Sequence, residues 1–390
     1  MQLTYLHIHN FKSIRSMEIR DIERALILVG KNNTGKTSVL DAICAVCGCY
    51  EIQDRDFNEN RQAIRIDACF SIEEEDLHLF HHMGIVSQYR RYDVWRRVFS
   101  ERLPSFKDGE LSFTLHVNQD GKVRYEDLYR KNNPYIHMVM PRIYRINAER
   151  ELNQLQNDLL MFQEDEELRR LRSGSCIFER AKKCNHCFQC IGLINQKKPE
   201  ELSAFETARL LEFKIYQMNL SGFSGKVNEN FFKNGGYEEI QYTLSCDADQ
   251  LFTVEVTAHN RQRGTVKPVE LMGKGMRSIY MLSLLETYIS EQGRIPSIIV
   301  VEDPEIFLHP QLQKTCSEIL YRLSKKNQVI FKTHSPDLLF NFSIRQIRQV
   351  VLDDERYSVV RLRTNMSEIL DDLGYGANDL LNVSFVFIVE

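Results

Sequence analysis

Positions 30 to 38 read Gly30-Lys31-Asn32-Asn33-Thr34-Gly35-Lys36-Thr37-Ser38. The spacing G-x-x-x-x-G-K-[ST] is that of a loop that cradles phosphate. Glycine at each end allows backbone conformations that a Cβ forbids, so successive N–H groups from Asn32 to Ser38 can face one anion. A helix expected from about Lys36 adds the positive end of its dipole. Lys36 can reach the terminal phosphates of a nucleotide, and the Thr37 hydroxyl can ligate Mg²⁺.

Such chemistry also needs an acid at the end of a neighbouring strand and a group that orients the attacking water. The apolar run Ile298-Ile299-Val300-Val301 ends in Glu302-Asp303-Pro304-Glu305. Glu302 is expected to hold the metal and its waters, and Asp303 to polarise the nucleophilic water, with Glu305 in reserve. Lys332-Thr333-His334-Ser335-Pro336 follows another apolar strand, and His334 there can contact the γ-phosphate or the water. Upstream, the turn Met272-Gly273-Lys274-Gly275-Met276-Arg277 opens a helix. Its N–H groups, Lys274 and Arg277 suit a second anion site, which one protomer could close on nucleotide held by another, and a plain helix-capping turn fits the same residues.

These groups need a sheet to position them. The runs at 26–29, 298–301 and 329–331 read as strands, the first and second each followed by a helix, which predicts an α/β architecture with a largely parallel sheet. Short alternating stretches from about Ala63 to Val123 predict antiparallel strands around one helix, a β-rich lobe. From about Glu149 the charge is dense and helix formers dominate, the mark of an inserted helical subdomain. The expected division is an N-terminal lobe over 1–148, the insert over 149–235 and a C-terminal lobe over 236–390.

Motif order then gives a resemblance. Asn10-Phe11-Lys12-Ser13-Ile14, the phosphate loop through Ile43, the Gly273/Gly275 turn, Val300 to Pro310 and Lys332 to Pro336 come in the order seen in ABC-type ATPase heads of the SMC/RecF class. Within that class the chain most resembles the overcoming-lysogenization-defect (OLD) family. The resemblance covers about 1–50 and 265–390 and implies a head that dimerises around ATP, or forms a higher oligomer. Each nucleotide is then held between one phosphate loop and the partner's signature, here Gly273, Lys274 and Gly275. It places Lys36, Thr37, Glu302, Asp303 and His334 at ATP-handling positions. It further implies control of DNA engagement or of an effector nuclease, with bacterial anti-phage defence as the setting. Two departures matter: Asp303 is one methylene shorter than the usual Glu, implying slow hydrolysis, and the signature serine of SMC heads is absent. A slow-turnover scaffold that sequesters an effector, and a RecF-like DNA repair ATPase, are the alternative readings.

Ala377 to Glu390 resembles the opening strand of a Toprim nuclease domain, with Glu390 as its first metal carboxylate. An ordinary edge strand ending in an acid fits equally. The remaining Toprim carboxylates are missing, so nuclease activity is not expected of this chain alone.

Cys176, Cys184, Cys187 and Cys190, spaced C-x7-C-x2-C-x2-C with His186 among them, suit tetrahedral Zn²⁺. An iron–sulfur cluster and unligated thiols stay open. Lys182, Lys183, Lys197 and Lys198 flank them and could touch a phosphate backbone. The composition is close to that of soluble globular chains: 390 residues with 50 basic and 54 acidic side chains, a formal charge of -4, 43% hydrophobic. That excludes disordered, collagenous and nucleic-acid-coating classes. Ten cysteines in this length point to a reducing cytoplasm rather than a disulfide scaffold.

Overall fold

Strand composition divides this chain into two kinds of sheet. The computed structural model describes residues 1–59, 62–82, 91–147, 176–178, 187–218, 221–234, 237–242, 256–260, 264–291, 297–361 and 365–375. Its strands are β1 Gln2–Phe11, β2 Ile14–Ile19, β3 Ala25–Val29, β4 Ile64–Ser71, β5 Phe106–Lys107, β6 Glu110–Val117, β7 Val123–Glu126, β8 Arg142–Ile146, β9 Thr257–Asn260, β10 Thr265–Pro268, β11 Ser297–Glu302, β12 Gln328–Lys332, β13 Ile347–Leu352 and β14 Ser358–Val360. The chain separates into two compact units, Met1–Glu151 with Met272–Glu390, and Leu152–Leu271.

In the first unit β3, β11 and β12 are continuous apolar runs, and all but the last residue of β12 are buried. Such runs belong in a parallel sheet covered on both faces. The observed order is β14-β13-β3-β12-β11-β8, parallel throughout except for β14 at the edge. The acid-tipped strand β11 was expected beside β3, but β12 lies between them. At about 4.8 Å per strand the phosphate loop and the acid end are therefore about 10 Å apart across the sheet. That gap is wide enough for a phosphate chain and is spanned by the residue that ends β12.

The second sheet runs β2-β1-β4-β6-β5, with β7 also paired to β6, and its neighbours are antiparallel. Here side chains alternate. Leu6, Ile8, Ile66, Ala68 and Leu115 are buried, while His7, His9, Asp67 and Thr114 are half-buried on the opposite face. The helix Lys36–Val46 contributes Val39, Leu40 and Ile43 to one hydrophobic core, shared with residues of both sheets, including Ile298, Val300 and Ile330. Buried Gln328 ties the sheets through the main chain of Leu3, accepting from its N–H at 2.9 Å and donating to its carbonyl at 2.8 Å. A buried amide with its bonds made costs little, whereas an unpaired one would cost about 1–3 kcal/mol.

The second unit contains helices Ile191–Ile194, Ala204–Gln217 and Ser221–Lys233 and the hairpin β9–β10. Ser203 caps the second helix, its Oγ accepting from Glu206 N–H while Glu206 reaches back to Ser203 N–H. This unit ends at Leu271, whereas composition places the end of the insert at 235. Residues 149–175, Lys182, Lys183, Cys184, His186 and the Toprim-like segment 377–390 lie outside the described residues.

Candidate functional site

The phosphate loop leaves β3 and enters the helix that starts at Lys36. Gly30 has φ 140° and Gly35 φ 96°, with Asn33 at 62° between them. Space forbids a side chain at either glycine: a Cβ on Gly30 would stand 2.2 Å from the Val350 carbonyl oxygen, and one on Gly35 2.1 Å from Ser358 Oγ. Both obstacles belong to β13 and β14, so the C-terminal part of the sheet shapes the loop. Asn32 and Asn33 are exposed, and Thr34 and Ser38 are buried. The Lys36 ammonium is buried and donates to the carbonyls of Gly30 at 2.8 Å and Lys31 at 2.6 Å. Burial, with Lys332 as a nearby like charge, pulls its pKa down to about 8.

At the acid end Glu302 is buried, and Lys332 lies directly opposite it in the β11–β12 register. The Lys332 ammonium donates to Thr37 Oγ1 at 2.9 Å and lies 2.9 Å from Asp303 Oδ2 and 3.4 Å from Glu302 Oε2. The three side chains assigned to metal and water from sequence thus gather around one cationic centre. All three donors are oxygen, the set that suits Mg²⁺. Asp303 takes a left-handed backbone conformation, φ 44°, just past the strand end. Glu305 accepts the backbone N–H of His334. Burial raises the Glu305 carboxyl above its usual range. Burial also lowers the His334 imidazole, aided by the charge of Lys36, which favours a neutral ring at pH 7.

Several residues in this network had no role in the sequence reading. Arg145, on β8, donates from Nε and Nη2 to Glu302 Oε1 at 3.0 and 2.7 Å, and its Nη2 lies 2.7 Å from Asp41 Oδ1. Asp41, on the helix behind the phosphate loop, also binds Lys12 Nζ at 2.5 Å, and Lys12 lies 3.5 Å from Asp56. A row of alternating charges therefore runs from Asp56 through Lys12, Asp41, Arg145 and Glu302 to Lys332. The signal was present as the second Arg of the strand RIYRI and a Lys between β1 and β2, but neither motif spacing nor periodicity names the partner.

The signature turn packs against the loop that follows the acid strand. A Cβ on Gly275 would meet the Phe307 carbonyl oxygen at 2.5 Å, and Lys274 Nζ stands 4.4 Å from the Phe307 ring centre. Arg277 reaches back to the Met272 carbonyl at 3.5 Å, and exposed Gly273 meets nothing within 4 Å of its Cβ position. Cys190 is buried with Ile191 and Ile194, and Cys176 and Cys187 are half-buried thiols. Among the described residues these three do not converge as a metal-holding group.

Residues 1–339 match the family described as AAA ATPase domain. An OLD nuclease of Thermus scotoductus is 28% identical over 116 residues, 29% of this chain and 22% of that protein. An uncharacterized protein of Methanocaldococcus jannaschii is 25% identical over 147 residues, 37% of this chain and 38% of the other. The chain thus spans well under half the length of either relative. Among solved structures, the Smc head domain of Pyrococcus furiosus with an extended coiled coil, bound to the C-terminal domain of ScpA, aligns with a TM-score of 0.52. It is 15% identical and covers 96% of this chain and 98% of that one, a likeness of fold. Among the described residues no helix is long and apolar enough to cross a membrane.

Proposed function

This chain is a P-loop ATPase of the AAA ATPase domain family, and on that premise we propose that it binds Mg-ATP between the Gly30–Ser38 loop and the Glu302–Asp303 strand end. The observation that carries this reading is the gathering of Thr37, Glu302 and Asp303 oxygens around the Lys332 ammonium, which ends β12 between the phosphate loop and the acid strand. Bound there, Mg²⁺ would neutralise charge on the phosphates. The chain's own groups do the rest. Backbone N–H groups of the loop and Lys36 grip the phosphates, Arg145 holds Glu302 in place, and Asp303 orients water from the strand end. Glu305 holds the main chain of His334 so that its neutral imidazole faces the reacting phosphate.

The turn Gly273-Lys274-Gly275, with Gly273 and Lys274 exposed, supports a second element of the proposal, closure on nucleotide held by another copy of the head. ATP binding then joins two heads and hydrolysis releases them. The partial match to an OLD nuclease supports a role in which this cycle controls DNA engagement or an effector nuclease, in defence against phage. A slow scaffold is the second reading, favoured by the short Asp303 side chain and its ion pair with Lys332.

The test is ATP binding and steady-state turnover by wild type and Lys36→Ala. The variant should lose affinity by roughly 100-fold, the size of a lost charge-assisted phosphate contact. Unchanged affinity would refute the site. Wild-type turnover between about 1 and 10³ per second marks an ordinary enzyme, and a rate far below it marks the scaffold.

A further inference from the structure

The polar face of the antiparallel sheet carries a cluster unrelated to nucleotide handling. His7 and His9 stand two apart on β1 and so point to the same face, and the register sets Asp67 of β4 directly opposite His7. His9 Nε2 lies 3.2 Å from His7 Nδ1, and His7 Nδ1 lies 4.0 Å from Asp67 Oδ2. The three ligand atoms all fall within 4.8 Å of one another, and all three side chains are half-buried. We propose that His7, His9 and Asp67 form a binding site for a late first-row divalent metal ion, with Zn²⁺ as the expected occupant.

Geometry and surroundings favour this over a chance meeting of polar groups. Metal bonds of about 2.0–2.1 Å in a tetrahedral site place neighbouring donors roughly 3.3 Å apart. The His–His separation already has that value, and the His7–Asp67 separation closes to it by a small side-chain rotation. The outer atoms are also held as metal ligands require. His7 Nε2 lies 3.1 Å from Ser16 Oγ, which sets the ring's orientation. Asp67 Oδ1 accepts from Thr114 Oγ1 at 2.5 Å and Arg65 Nε at 3.0 Å, leaving Oδ2 toward the imidazoles. Such outer contacts fix ligand orientation, and their loss weakens metal binding about 10–100-fold. Two imidazoles and one carboxylate suit Zn²⁺, Co²⁺ or Ni²⁺ rather than Mg²⁺. Half-burial leaves the fourth position to water, and the ion would clasp β1 to β4.

Cobalt titration of the chelator-stripped full chain tests the site, because Co²⁺ bound by nitrogen and oxygen absorbs without the sulfur charge-transfer band of cysteine sites. Wild type should show one such equivalent, lost in His9→Gln and Asp67→Asn and weakened 10–100-fold in Thr114→Val. Zn²⁺ should raise the melting temperature of wild type by more than that of His9→Gln. Should the variants fold poorly, Co²⁺ added to wild type should shift the ring signals of His7 and His9 in NMR spectra. Equal cobalt binding by wild type and folded variants, or unshifted His7 and His9 signals at saturating Co²⁺, overturns the proposal.

Discussion

Lys332 donates to the hydroxyl of Thr37 at 2.9 Å although 295 positions separate them. The same ammonium lies 2.9 Å from Asp303, so one side chain joins the phosphate loop to the acid end of β11. Its positive charge offsets the two carboxylates of Glu302 and Asp303, which would otherwise repel.

On the proposed placement of Mg²⁺ at these oxygens, Lys332 and the metal compete for them. Replacing Lys332 by Met should lower the Mg²⁺ concentration for half-maximal ATPase activity, by about 3–10-fold, equal to roughly 1 kcal/mol of competition. A magnesium titration at saturating ATP reads this directly. A higher magnesium requirement would assign Lys332 to the phosphates instead.

Arg145 should matter to both stability and turnover. Arg145→Met leaves Glu302 and Asp41 in a buried position with a cation removed. Breaking such a pair costs about 3–5 kcal/mol when fully buried, and the partial exposure of Arg145 reduces that to about 2 kcal/mol. Calorimetry should show a lower melting temperature, and kcat should fall because Glu302 loses its anchor. An unchanged melting temperature would mean that Lys332 alone holds Glu302.

The depressed pKa of Lys36 makes a prediction with a definite sign. The fold disfavours its ammonium, so the penalty is fully present below about pH 8 and is relieved as pH rises from there toward 10.5. Lys36→Met should thus stabilise the protein without nucleotide at pH 7, by about 1–3 kcal/mol, while weakening ATP binding by roughly 100-fold. A polyphosphate would restore the charge, so ATP binding by wild type above pH 8 should take up a proton. Titration calorimetry in two buffers of different ionisation enthalpy measures that uptake, and none would be seen if Lys36 remained fully charged.

Asp303 and Glu305 can be separated by amides. Asp303→Asn should cut kcat by about 100-fold or more with ATP binding kept, as expected when the water-orienting group is lost. Glu305→Gln keeps an acceptor for the His334 N–H and should retain much more activity. The opposite ranking would move the water-orienting role to Glu305.

Gly275→Ala probes the signature turn. Its methyl would press on the Phe307 carbonyl, displacing the turn without touching the phosphate loop. ATP affinity of the monomer should stay within about threefold, whereas ATP-dependent association, followed by light scattering, should fall at least tenfold. Normal association would remove this turn from the interface.

What could be read along the chain was local. The phosphate loop needs eight consecutive residues, and the apolar runs that make β3, β11 and β12 are short and continuous, so spacing and hydropathy suffice to place them and their parallel sheet. Glu302, Asp303 and His334 could be singled out as candidates for the same reason, each at or just past the end of such a run. The strand order was not, because which strand pairs with which is decided by packing among segments hundreds of residues apart. That packing put β12 between β3 and β11 and made Lys332 the bridge. Likewise Arg145 in β8 and Lys12 after β1 acquire meaning only from the carboxylates that folding brings to them. Charge pairing acts through space, and sequence spacing carries no information about partners that meet only when the core closes.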